Sequence, residues 1–527
     1  MRYGFIIDNR KCIGCHACTV ACKSEHQVPV GVYRTWVKYI EKGEFPNSRR
    51  YFTVLRCNHC DDAPCVEICP VQALFVRDDG IVDFDNRRCI GCKSCMQACP
   101  YEALYIDPET STAAKCNYCA HRVEMGLQPA CVIVCPEQAI IAGDLDDPNS
   151  EIARLLARYP TVVRKPEKDT RPKLFYIEAD EASVSPLPVE SREDFWTSKD
   201  LGVGHYARYA EKLAFDNDNV VSYLEELTRK DAELIEADGT QVSYAAPRQG
   251  ILWGWEVSGY IWTKAIASGL ILLMALMSLM GFDLGFNAEI AGVTGSLAFL
   301  GLTTALLIKD LDRPDRFLYV LLRPQWKSWL VRGGYGLVAF GAVLTAMLAI
   351  ALSGVMSGLY PVAKVVAGTV AVFVAVYTAF LFAQARGRDF WQSPSLIAHM
   401  LFNSLLAGAA VWLLLGLWMP MADQTINFLR TLLMVTIVLS VFNMLIDLAF
   451  PHPTADAKRT VEMIRSGRYS RLFWIGVLLI GHVLPFVVLW WYGIEPVGLL
   501  LSAVGVLIGV YLSDKIWVEA PQRIPLS

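Results

Sequence analysis

Sixteen cysteines stand between Cys12 and Cys135, and the rest of the chain has none. They form four groups of four: Cys12, Cys15, Cys18 and Cys22; Cys57, Cys60, Cys65 and Cys69; Cys89, Cys92, Cys95 and Cys99; Cys116, Cys119, Cys131 and Cys135. Disulfide frameworks belong to small, oxidised, secreted domains. Thiols separated by two residues are instead well placed to face one metal centre. Structural zinc also uses C-x2-C pairs, two of them, set far apart. "CIGCHACTVAC" and "CIGCKSCMQAC" have the tighter C-x2-C-x2-C-x3-C spacing. That spacing wraps three corners of a cubane and sends its fourth thiolate to a second one. Pro70, Pro100 and Pro136 follow the last cysteine of their groups, while Lys23 takes that place in the first. Four groups of four thiols predict four [4Fe–4S] clusters, with zinc as the alternative. His16, His59 and His121 lie in or beside the runs; with four thiols for each cluster, they are expected to surround the metal sites rather than ligate. Spacing alone leaves open which thiols share a cluster.

The composition changes twice along the chain. Residues 1–178 hold the sulfur, with short strand-like stretches such as "GIVDFD" and "ALYID". Residues 179–250 are polar and acidic and read as a linker, with one helix-like patch, "NVVSYLEELTRKDAELIEADG". Residues 251–527 are apolar. Eight stretches there reach the roughly 20 residues that a bilayer demands. They lie near 259–281, 288–308, 333–354, 363–385, 395–418, 427–450, 472–491 and 496–513. An even number returns both ends of the apolar half to one side. No signal peptide is expected, because the first apolar span comes after residue 250.

Charge decides which side. Loops on the side of the sulfur domain carry Lys309, Arg313, Arg316, Arg323, Lys327, Arg332, Arg386, Arg388, Lys458, Arg459, Arg465, Arg468 and Arg471. The opposite loops, 282–287, 355–362, 419–426 and 492–495, hold no Lys or Arg. By the positive-inside rule the sulfur domain faces the cytoplasm, on a multi-pass protein of the cytoplasmic membrane.

The order of the cysteine groups, with the extension "DLDDPNSEIARLLARYPTVVRKPEKDTRPKLFYI", resembles the four-cluster electron-transfer subunits of molybdopterin oxidoreductases. That resemblance implies an α+β ferredoxin-like domain built from two pseudo-symmetric two-cluster modules. It also implies a crossed pairing. Cys12, Cys15, Cys18 and Cys135 would hold one cluster, and Cys22, Cys116, Cys119 and Cys131 a second. Cys57, Cys60, Cys65 and Cys99 would hold a third, and Cys69, Cys89, Cys92 and Cys95 a fourth. The apolar half resembles the NrfD-type (polysulfide reductase) membrane anchors. The likeness lies in "KDLDRPDRFLYVLLRPQWKSWLVRGGYGL", "WTKAIASG", "FWQSPSLIAHMLFNSLLAGAA", "SGRYSRLFWIGVLLIGHVLP" and the terminal "IPLS". It implies an all-α bundle of eight transmembrane helices without haem. The sequence agrees on haem, since only His399 and His482 lie within spans.

Clusters move single electrons, so a metal-free membrane half needs a lipid-soluble partner, and a quinone fits. Its site needs hydrogen-bonding groups in an apolar slot. Ionisable residues inside spans are costly and are therefore candidates. Glu256, Tyr260 and Lys264 open the first span, Asp310 ends the second, and Asp447 closes the sixth. His399 and Asn403 sit early in the fifth. Lys264 either snorkels to the headgroups or pairs with a carboxylate or a quinone oxygen; pairing is preferred. The chain is expected to relay electrons between a molybdenum- or tungsten-pterin catalytic subunit and the quinone pool. It shows no substrate site beyond the quinone's, and no nucleic-acid partner is expected. The alternative is an ion-translocating anchor using Glu289, Lys264, Asp447 and His482.

Overall fold

The computed structural model describes residues 1–42, 49–185, 240–244, 250–354 and 357–527. Most of the expected linker, with its helix-like patch, lies outside these residues. The chain divides into two units: Met1–Gly250 with Pro525–Ser527, and Ile251–Ile524.

The first unit is built on strands β1 (Tyr3–Asp8), β2 (Thr35–Lys42), β3 (Arg49–Arg56), β4 (Leu74–Val76), β5 (Val82–Phe84), β6 (Leu104–Asp107), β7 (Thr112–Lys115), β8 (Ile140–Asp144), β9 (Thr161–Val162), β10 (Leu174–Ile177) and β11 (Thr240–Tyr244). β1, "YGFIID", is apolar on both faces because both are covered. Phe5 and Ile7 join a core with Leu174 and Tyr176. Ile6 points the other way, onto Ile141, Ile152 and Ile177. β1 therefore lies inside a sheet of order β8-β1-β10-β9, antiparallel to β8 and parallel to β10. β2 pairs with β3 and β11 in a second sheet.

Between these sheets the chain repeats a small pattern. The helix Pro64–Ile68 leads into the hairpin β4–β5, and the helix Ser94–Ala98 leads into the hairpin β6–β7. The strand-like stretches read from the sequence are β5 and β6.

The second unit holds, among the described residues, eight helices long and apolar enough to cross a membrane. They are Trp255–Leu279, Phe286–Lys309, Trp329–Ser353, Tyr360–Gln384, Ser395–Trp418, Asp423–Ala449, Leu472–Tyr492 and Pro496–Arg523. The first span is the bundle's axis and packs on the second, fourth, fifth and eighth. Gly269 allows this closeness, because a Cβ there would fall 1.9 Å from the Ser404 carbonyl oxygen on the fifth span. Without a hydrophobic drive between helices in lipid, such backbone approach supplies the packing. Large apolar side chains such as Trp490, Trp491 and Leu501 face outward, as an apolar solvent permits.

Candidate functional site

The cysteine loops repeat backbone conformations as well as spacing. In the two "CIGC" segments Gly14 and Gly91 have φ of +71° and +69°, and His16 and Lys93, just after, have +58° and +59°. In "CNHC" and "CNYC" the residues before the second cysteine, His59 and Tyr118, have +44° and +62°. These left-handed positions are costly for a side-chain-bearing residue. Their recurrence relates the first group to the third and the second to the fourth.

The folded chain brings the thiols into four sets. Cys12, Cys15, Cys18 and Cys135 line one cavity. Cys69, Cys89, Cys92 and Cys95 line another. Cys22 lies within electrostatic reach of Cys116, Cys119 and Cys131, and Cys65 of Cys57, Cys60 and Cys99. The first two sets thus surround a space rather than closing on a point. Among the described residues, no group of Cys, His, Asp or Glu is arranged to hold a single ion. A tetrahedral zinc, with sulfurs at about 2.3 Å, would need such closure.

Burial, with neighbouring sulfurs adding to it, pushes the Cys18 and Cys99 thiols up to about 11 and those of Cys92 and Cys119 to about 12. Only a positive centre would hold them as thiolates at neutral pH. Backbone N–H groups already aim at the sulfurs: Ala73 at Cys69 (3.3 Å), Ala139 at Cys135 (3.2 Å), and Gly91 and Ala113 at Cys89 (3.4 Å each). This donor set fits iron–sulfur clusters, whose sulfurs accept such bonds.

The histidines differ in role. The His59 Nδ1 accepts from the Val82 N–H at 3.2 Å. His121 meets Glu25 at 2.7 Å. His26, which the sequence reading passed over, places Nε2 3.1 Å from the Cys119 sulfur. No local spacing signals that contact, because 93 residues separate the two.

In the second unit, Lys264 donates from Nζ to the Thr378 hydroxyl at 2.5 Å and the Ala375 carbonyl at 3.1 Å. Its ammonium lies 4.6 Å from the centre of the Tyr377 ring. Thr378 also bonds Tyr260, which has Asp310 and Asp514 within electrostatic reach. Asn403 donates to Asp514 Oδ1 at 2.8 Å. His399 stacks on Trp517 at 4.7 Å, with Nε2 4.0 Å from the same oxygen. Asp514 Oδ2, His399 Nδ1 and Asn403 Oδ1 have no hydrogen-bond partner among the described residues.

Of the expected membrane residues, Tyr260 and Lys264 meet through Thr378, and Lys264 is 1 % exposed, too deep to snorkel. Glu256 stays at the rim, 3.7 Å from Lys309. Asp447 has separate partners: the hydroxyls of Ser393 and Ser395 donate to its carboxylate, and His452 donates to its carbonyl. Asp514 was missed because the eighth span was drawn to end at residue 513. The helix continues to Glu519, carried past the charged "SDK" by burial of Ile516, Trp517 and Val518. His482 bonds Ser440 on the neighbouring sixth span at 3.2 Å.

Residues 244–518 match the family described as polysulphide reductase, NrfD. The chain belongs to that family. Residues 11–74 and 49–145 match 4Fe-4S dicluster domains, so the first unit carries [4Fe–4S] clusters. Curated relatives match this part. A tetrathionate reductase subunit of Salmonella typhimurium is 48% identical over 200 residues, 37% of this chain and 80% of the relative. A polysulfide reductase polypeptide of Wolinella succinogenes is 44% identical over 181 residues, 33% of this chain and 94% of the relative. Protein NrfC of Escherichia coli is 46% identical over 181 residues, 34% and 81% respectively. This NrfD protein is thus a multi-pass membrane protein that joins an iron–sulfur electron-transfer half to an NrfD half in one polypeptide.

Proposed function

We propose that this chain relays electrons between a molybdenum- or tungsten-pterin catalytic subunit and the membrane quinone pool, through four [4Fe–4S] clusters held by the four thiol sets. The observation that carries this reading is the fusion itself. Four sets of buried thiols share a polypeptide with a membrane unit that buries Lys264, Tyr260, Asp514 and His399 together. When bound, the clusters supply one-electron steps. Quinone reduction adds two electrons and two protons, and quinol oxidation releases them. Lys264 and Tyr260 would present donors to a quinone oxygen. Asp514 and His399, each with an unpartnered polar atom, would hand protons on. The partner's identity is supported by relatives whose names are those of reductase subunits. The basic loops support a cytoplasmic facing of the iron–sulfur half.

The experiment is mild detergent purification from the native membrane, with mass spectrometry and metal analysis. A large co-purifying subunit with molybdenum or tungsten, together with iron for four clusters, is expected. Iron with cytochromes and no pterin subunit would overturn the partner. A colourless zinc protein would overturn the cluster reading.

A second reading, ion translocation coupled to electron flow, draws on the ion pair of Lys364 and Glu289 within the apolar half. Protons crossing sealed vesicles on turnover, beyond those of quinone chemistry, would favour it.

A further inference from the structure

Arg56 ends β3, directly before Cys57, and is fully buried. Nη1 donates to the Cys131 sulfur at 3.0 Å, and the guanidinium carbon lies 4.6 Å from the centre of the Phe5 ring. The thiols of Cys131, Cys116 and Cys18 lie within its electrostatic reach. Nε and Nη2 have no acceptor among the described residues. Lys115, equally buried, contrasts with it, because its ammonium is taken up by the carbonyls of Val82 and Cys116.

A buried guanidinium with two idle nitrogens, and no carboxylate paired with it among the described residues, is strongly unfavourable unless an anion meets it. The thiols supply that anion only as metal-bound thiolates, and a cluster adds sulfide acceptors of its own. Cys131 and Cys116 belong to one thiol set and Cys18 to another, so the cation stands between two sets and bonds directly to one. Reduction adds negative charge to a cluster. A fixed cation and an N–H···S bond therefore favour the reduced form.

We infer, resting on the four-cluster reading above, that Arg56 is a positioning residue that raises the reduction potential of the cluster held by Cys22, Cys116, Cys119 and Cys131.

The test is a redox titration of the purified full-length protein followed by electron paramagnetic resonance, on wild type, Arg56→Gln and Arg56→Lys. Iron and sulfide analysis comes first. Wild type lacking four clusters would sink the cluster reading itself, not the role of Arg56 alone. With four clusters present, Arg56→Gln should disfavour reduction of one cluster at least tenfold, about 59 mV for one electron. The cluster of the Cys12, Cys15, Cys18 and Cys135 set should shift less and in the same direction, the two remaining midpoints should stay in place, and Arg56→Lys should restore most of the shift. No midpoint moving by that much, or all four moving together, would overturn the inference. If Arg56→Gln fails to load its clusters, Arg56→Lys must load all four with the midpoint within tenfold of wild type. Failure of both variants to load would reduce Arg56 to a structural role and overturn the inference as well.

Discussion

Asn403 on the fifth span donates its side-chain amide to Asp514 on the eighth at 2.8 Å, deep inside the apolar half. The bond occupies one carboxylate oxygen and leaves Oδ2 without a hydrogen-bond partner among the described residues. A carboxyl group so buried is costly, and buried ionisable groups within spans mark ion and proton pathways.

Replacing it tests that directly. Asp514→Asn keeps the shape and a partner for Asn403 but cannot carry a proton. Quinone-linked turnover should fall at least tenfold, while iron content and membrane yield stay at wild-type values. Unchanged turnover, measured with a soluble quinone analogue, would move the proton-handling group elsewhere.

Lys264→Ala removes the ammonium that joins the first span to Thr378 and Ala375 on the fourth. Quinone turnover should drop while the cluster signals keep their intensity. Lys264→Met separates charge from packing, because it fills similar space. If Met restores turnover, the lysine serves only to fill the core.

Cys18→Ser tests the crossed sets. One cluster signal should be lost or changed, and electron flow to quinone should stop, with normal membrane insertion. Full quinone-linked activity in the assembled variant would remove Cys18 from the relay.

Asp8 predicts a pH signature in the first unit. Burial alone would raise its carboxyl, but the paired bonds from Arg10, at 2.8 Å each, overcome this and hold it below the usual range. A depressed folded-state value stabilises the fold above the unfolded carboxyl's pKa of about 3.9, and the gain is lost as pH falls through the folded value. Asp8→Asn should therefore cost about 1 to 2 kcal/mol. The deficit, read from thermal bleaching of the visible absorbance, should be equal at pH 7 and pH 5. It should shrink only on further acidification. A deficit that already narrows between pH 7 and pH 5 would contradict the assignment.

The parts legible in the sequence were those with local periodicity. Thiol spacing marks out the four groups, and runs of apolar residues mark out the eight spans within about four residues at each end, except that the eighth runs six residues further, to Glu519. The contacts that matter at the candidate sites are long-range and leave no such trace. Arg56 reads as an ordinary strand-end arginine before a cysteine, and only the fold buries it against Cys131, 75 residues away. Asp514 lay one residue past an end drawn on hydropathy, where charged residues lower the average but packing continues the helix. Which thiols share a space came from family resemblance, because a spacing rule specifies how a run turns and not which distant run it meets.

The place of β1 between β8 and β10 has a consequence for biosynthesis. Residues 3–8 leave the ribosome well before their partners, which end at Ile177. At about 5 to 20 residues per second, the first strand waits roughly ten to thirty-five seconds for its sheet. The thiols from Cys12 to Cys22 are exposed to the cytosol for much of that interval, before Cys116 to Cys135 arrive. The first membrane span begins some eighty residues after Ile177 on the same nascent chain. A pause in translation near residue 180 would lengthen the window in which the iron–sulfur half closes before the membrane captures the rest.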